Sequence, residues 1–249
     1  MTHGSLWNKL LLFALPLAAS SILQQLFNSV DTAVVGRFAS SRALAAVGSN
    51  SSLIALMINL FIGISLGSNV IISRYIGQKA EEHVKAAIHT AIVVALCSGI
   101  FVLVLGQFIA RPVLTLMGTP KDVIDLAVLY LRIYFLGMPF IMLYDFSSSI
   151  LRSIGDSRRP LYALIAAGII NTGLNLILVI VFHLGVSGVA IATVVSNIVS
   201  SGILFYILLH EQEPIRVRLC GLSIDRGELK KILIIGVTAG MQGTHHPEA

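Results

Sequence analysis

The sequence predicts an all-α membrane protein, a bundle of six transmembrane helices, and three observations predict it. The first is composition: 56% of residues are hydrophobic and 12% charged, about half the charged share of a soluble domain, with a mean hydropathy of +0.89. The second is how the charges are spaced. Lys9 to Asp31, Lys85 to Arg111, Pro160 to His183 and His183 to His210 each enclose more than 20 uncharged residues. About 20 apolar residues rising about 1.5 Å each cross a hydrocarbon core. The third is pattern, since barrel strands would alternate over about ten residues and these runs do not.

Six spans follow, at about 10 to 36, 47 to 73, 86 to 109, 123 to 151, 161 to 182 and 188 to 209. Span one opens like a secretory signal, "KLLLFALPLAAS", but its apolar run continues to residue 30 and further spans follow, so it reads as a first helix. Pro16 is expected to kink it. Span two carries Gly63 and Gly67, a GxxxG spacing that reads as close helix packing. Span three is uninterrupted between Lys85 and Arg111. Span four holds two charges. Arg132 lies about 30 Å along a helix from Arg152 and is expected to reach the outer interface. Asp145 is only two turns from Arg152, which predicts a solvated or Arg-paired acid. Spans five and six are joined by a short connection around His183.

These boundaries give three regions: 1–210 as a six-helix lobe, 211–229 as a polar linker, and 230–249 as an incomplete seventh helix with a polar tail. In the last region "LKKILIIGVTAG" begins an apolar segment and "MQGTHHPEA" ends it. Residues 232 to 243 are too few to span, and the chain reads as cut off inside a larger protein. His245 and His246, an adjacent pair with no further ligand, do not make a metal site.

The net charge of +5 raises nucleic acid as a partner, but the basic residues form no stripe and no aromatic platform accompanies them. Topology explains them better. Of 17 Lys and Arg, twelve fall at the N-terminus, in the loops after spans two and four, and in the linker. Four fall in the opposite loops, which predicts a cytoplasmic N-terminus and linker. Cys97 lies within a span and Cys220 in the linker, so no disulfide is expected. "NSS" at 50 to 52 matches a glycosylation acceptor by chance. No nucleotide loop, nucleophile elbow or HExxH occurs, and no enzyme class is indicated.

The polar residues inside the spans carry the functional signal. Ser20, Gln24, Asn28 and Asp31 follow the +4, +4, +3 spacing of one helix face. Ser, Asn and Gln there can be interhelical glue. A carboxylate near lipid costs several kcal/mol unless it is hydrated, paired or protonated, so Asp31 reads as a proton or cation site. Counted from Lys9 it lies about 33 Å along the helix, toward the outer face. Asn171 and Asn175 are i, i+4 neighbours about 16 and 22 Å inward from Pro160. Thr193, Asn197 and Ser200 share one face of span six, which returns in the opposite direction. Asp31, Asn175 and Thr193 can therefore meet in the outer half of one bundle.

Five segments, "PLAASSILQQLFNSVDTAVVGR", "YLRIYFLGMPF", "ILRSIGDSRRPL", "NTGLNLILVIVFHLGVSGVAIAT" and "IGVTAGMQG", resemble in order those of the multidrug and toxic compound extrusion (MATE) transporters. The resemblance runs from about residue 10 to 243. It implies one lobe of a twelve-helix transporter, with residues 1 to 210 as the N-terminal lobe and the C-terminal lobe missing. Such transporters export organic, often cationic drugs in exchange for H⁺ or Na⁺, without any other cofactor, by rocking two lobes. Asp31 matches the cation-coupling acid, with Asn175 beside it. Gln24, Asn28, Asn171, Thr193 and Asn197 fall to the cavity, and Pro16 to the helix bend. Asn175 departs from the pattern, since many relatives carry Asp there, and this makes protonation of Asp31 more attractive than an Na⁺ site. An acid at Asp145 is also unusual.

The implied partners are small drug molecules, the lipid bilayer, and the missing lobe or a second copy of the chain, with no nucleic acid. The implied location is a bacterial inner membrane. A lipid-linked oligosaccharide flippase of similar architecture and an inert or purely structural fragment stand as alternatives. The flippase would call for a more cationic lumen. An intramembrane enzyme using Asp31 and Asp145 as a pair is disfavoured, because the two are expected at opposite faces. Direct contact between them would contradict a transporter.

Overall fold

The structure, a computed structural model, describes residues 6–243, with side chains from 11 to 238. The tail with His245, His246 and Pro247 lies outside the described residues. No strand occurs among those described.

Helix α1 runs Leu6–Phe38 as one element through Pro16, α2 Ser41–Gly77 and α3 Glu81–Leu116. All three are longer than the predicted spans at both ends, because helices continue past the apolar core into polar flanks that hydropathy does not count. Ser40 caps α2 by accepting a hydrogen bond from the Ala43 N–H at 3.1 Å. Span four is not one helix. It divides into α4, Ile124–Leu136, and α5, Met138–Ser153, bent by 48°. Pro139 enters at the start of α5, where its missing N–H is harmless, and it cannot continue the ladder of α4.

Span five is α6, Arg158–Asn175, followed by a π-helical turn, Leu176–Val181. Span six is α7, Val186–His210. Among the described residues five helices are long and apolar enough to cross a membrane, and the bent α4–α5 pair makes a sixth span. This is a multi-pass membrane protein.

In lipid, apolar contact between helices is not driven by water, so packing and interhelical hydrogen bonds hold the bundle. Phe135, Met142, Phe146, Ile150 and Leu204 fill the centre. Asn50 is fully buried and donates to the Ala46 and Ala127 carbonyls at 2.9 and 3.0 Å, tying α2 to α4. Its side chain is therefore no glycan acceptor. Asn69 donates to the Ser149 carbonyl at 2.9 Å, and Ser149 to the Ser65 hydroxyl at 3.2 Å, tying α2 to α5. Leu15, Ile22, Phe101 and Phe108 point outward.

The linker differs from the expectation. Helix α8 begins at Arg226, inside the stretch predicted to be linker, and runs to Gly243. It packs along α2, where a Cβ on Gly67 would stand 2.5 Å from the Ile232 carbonyl and 2.8 Å from the Gly236 nitrogen. Close packing at this GxxxG is real, and its partner is α8. Asp225 starts the helix by accepting from the Glu228 and Gly227 N–H groups, which hold its carboxyl below the usual range. Tyr75 donates to buried Glu228 at 2.9 Å, and Lys231 bonds both. The linker folds over the start of α3, with Arg218 N–H on His89 Nε2 at 3.1 Å and Asp225 N–H on Thr90 at 3.0 Å. On the same side, Arg159 at the start of α6 pairs with Glu211 at the end of α7.

Candidate functional site

Asp31 stands in the penultimate turn of α1, facing α6. Two features of sequence bring the helices together there. Gly168 on α6 leaves no room for a Cβ against the Phe27 ring of α1, so the backbones approach closely. Three residues after Gly168 comes Asn171, and four later Asn175, both buried on the face turned inward. Asn175 Nδ2 donates to Asp31 Oδ1 and to Asn171 Oδ1 at 3.1 Å. The Asp31 bond is charge-assisted when the acid is ionised and strengthens accordingly. Asn175 Oδ1 is buried and has no hydrogen-bond partner. The regular helix ends at this residue and the π turn begins, a local departure that clusters at functional sites.

The acid opens onto a cavity of about 220 Å³ between α1, α2, α4, α5, α6 and α7. A larger recess of about 600 Å³ adjoins it on the α2 side and shares Gln24, Asn28, Asp31 and Tyr134 with it. The walls mix apolar side chains such as Phe27, Ile62 and Leu164 with amides and hydroxyls. Among the described residues no Lys or Arg lines either space. Such a chamber suits an amphiphilic molecule with a positive centre: rings and aliphatic walls for its body, a carboxylate for its charge.

Of the residues picked from sequence, the structure joins Asp31, Asn175 and Asn171 in one hydrogen-bonded group. Thr193 lies beside Asp31, although its hydroxyl donates to the Val189 carbonyl at 3.0 Å. Asn197 lines the cavity, but its Nδ2 bonds the Thr193 carbonyl of its own helix at 2.8 Å. Gln24 and Asn28 form wall, exposed to the cavity and recess. Pro16 lies outside both linings, and Ser20 donates to its carbonyl at 2.8 Å.

Asp145 requires a correction. Among the described residues it forms no ion pair, its Oδ2 is buried without a partner, and the Nε of Arg152 is equally unpartnered. It also lines the same cavity as Asp31, a shared space the depth count along each helix did not reveal. Two turns of helix put it about 10 Å inward from Arg152, within electrostatic reach of the guanidinium and deep enough to reach the chamber. No hydrogen bond joins the two acids among the described residues, so they do not form the proton-sharing dyad that catalysis by two carboxylates uses. Tyr134 was also missed. The spacing Tyr134, Ile141, Asp145, at +7 and +4, is the sequence signal that places all three on one face.

The sequence model of the MatE family matches residues 16–177. The chain is 36% identical over 245 residues to the probable multidrug resistance protein YoeA of Bacillus subtilis, across 95% of this chain and 53% of that protein. It is 30% identical to the probable multidrug resistance protein YpnP of the same species, across 97% and 54%. A solved structure described as MATE in the bent conformation superposes with a TM-score of 0.89 at 25% identity, covering 97% of this chain and 54% of that one. The chain thus spans about half the length of the curated relatives it matches.

Proposed function

The chain belongs to the MatE family, and on that premise we propose that it supplies the six-helix lobe of a multidrug exporter in which organic cations and a coupling ion compete for Asp31. The observation that carries this reading is the Asp31–Asn175–Asn171 group opening onto a chamber whose lining holds no basic residue. When ionised, Asp31 attracts a cationic drug and accepts the Asn175 N–H. When it takes up a proton or cation from outside, the drug loses its counter-charge and the α1–α6 tie weakens. A lone carboxylate in the Asp31–Asn175–Asn171 group, with an amide where many relatives carry a second acid, favours H⁺ over Na⁺. Alternating access then comes from rocking against a second lobe. The basic residues gathered on the linker side favour an N-terminus in the cytoplasm of a bacterial cell, with the bundle in its inner membrane. The absence of Lys and Arg from the lining disfavours a flippase for pyrophosphate-linked lipids.

Efflux rescue in a pump-deficient bacterium tests this. The chain extended with a second lobe lowers the accumulation of a fluorescent organic cation, the same extension carrying Asp31→Asn does not, and the 249-residue chain alone does not. Equal rescue by the extended chain with and without Asp31→Asn would overturn the role of the acid.

A further inference from the structure

We infer that Asp145 is a second anionic anchor in the cavity and that it makes this lobe selective for amphiphilic dications over monocations. The inference rests on the reading of the chamber as a cation-binding site and adds a residue and a substrate class to it. Two carboxylates, Asp31 from α1 and Asp145 from α5, line one space with no Lys or Arg in its wall. Among the described residues Asp145 Oδ2 accepts no hydrogen bond, and Arg152 on the same helix is within electrostatic reach of the acid without forming an ion pair with it. The chamber therefore holds two carboxylates and no lysine or arginine among its described lining residues. A buried acceptor left unsatisfied is costly, more so when charged.

Between them lie apolar and aromatic surfaces. Tyr134 is within electrostatic reach of both acids, and Phe27, Ile141 and Leu164 close the walls. A molecule with two positive ends joined by an apolar middle matches this sequence of acid, rings and acid. A single positive centre engages only one of the two carboxylates. The second anchor also has a consequence for exchange. When Asp31 takes up the coupling ion, the far end of a dication is still held by Asp145, so release of dications is slower than release of monocations.

The test is isothermal titration of the purified chain in nanodiscs with hexyltrimethylammonium and with hexamethonium, the same chain bearing a charge at each end. Butyl and decyl homologues cover other charge separations. Wild type is expected to prefer the best dication by about tenfold or more. Asp145→Asn is expected to cut that preference about tenfold, and Asp145→Glu to restore most of it, with circular dichroism confirming that each variant is folded. A preference unchanged within twofold in Asp145→Asn, or no preference in wild type, overturns the role of Asp145 alone. If wild type binds none of the cations, the reading of the chamber as a cation site fails as well. If Asp145→Asn does not fold, wild type against Asp145→Glu decides, because lengthening the side chain must shift the preferred charge separation.

Discussion

Asn175 is spent twice, on Asp31 and on Asn171, with a single amide nitrogen. Replacing it with alanine removes a hydrogen bond to a charged group, worth about 1.5–3 kcal/mol, and leaves the acid facing an apolar gap. Cation affinity of Asn175→Ala, measured by titration in nanodiscs, is therefore expected to become more sensitive to acid, with a loss of about tenfold or more near neutrality. An unchanged pH profile would show that the amide does not support the ionised acid. The group around Asp31 was readable in the sequence because helical spacing alone decides which polar residues share a face. Asp145 was not. Distance from Arg152 measured its depth along the chain but said nothing of where the side chain turned. Its alignment with Tyr134 and Ile141 held the information that depth lacked.

Helices α1 and α6 meet where Gly168 takes the Phe27 ring, and this seam holds Asp31 against Asn175. A valine at position 168 overpacks it, at a cost of about 1–3 kcal/mol. Gly168→Val is expected to lower the thermal stability of the chain in detergent and to weaken cation binding together, whereas Gly202→Val, at a position with open space around it, is expected to change neither. Equal effects at both positions would contradict the seam. Hydropathy located all six spans because each is bounded by charge. It missed the bend at Gly137 and the π turn after Asn175, since both alter backbone geometry without altering composition. It also placed the start of α8 too late, because Asp225, Glu228 and Lys231 look like linker until Tyr75 is seen to satisfy Glu228.

The bundle keeps its linker, the start of α3 and the Arg159–Glu211 pair on one side, which is the side richest in Lys and Arg. With Cys97 and Cys220 replaced by serine, a cysteine at position 213 in the linker is expected to react with a membrane-impermeant maleimide only after cells are opened. One at position 120, between α3 and α4, is expected to react in intact cells, and the reverse pattern would invert the proposed topology. Membership of the MatE family could be read from ordered segments of the sequence, and the superposition on half of a solved relative agrees with a lobe. The central claim is that organic cations and protons compete at Asp31. It is tested most directly by adding tetraphenylphosphonium to the purified chain in weakly buffered solution and recording proton release. Near the pH where Asp31 is half protonated, wild type and Asp145→Asn should release protons as the cation binds, and Asp31→Asn should release none. Binding without proton release at any pH, or equal release from Asp31→Asn, would contradict it.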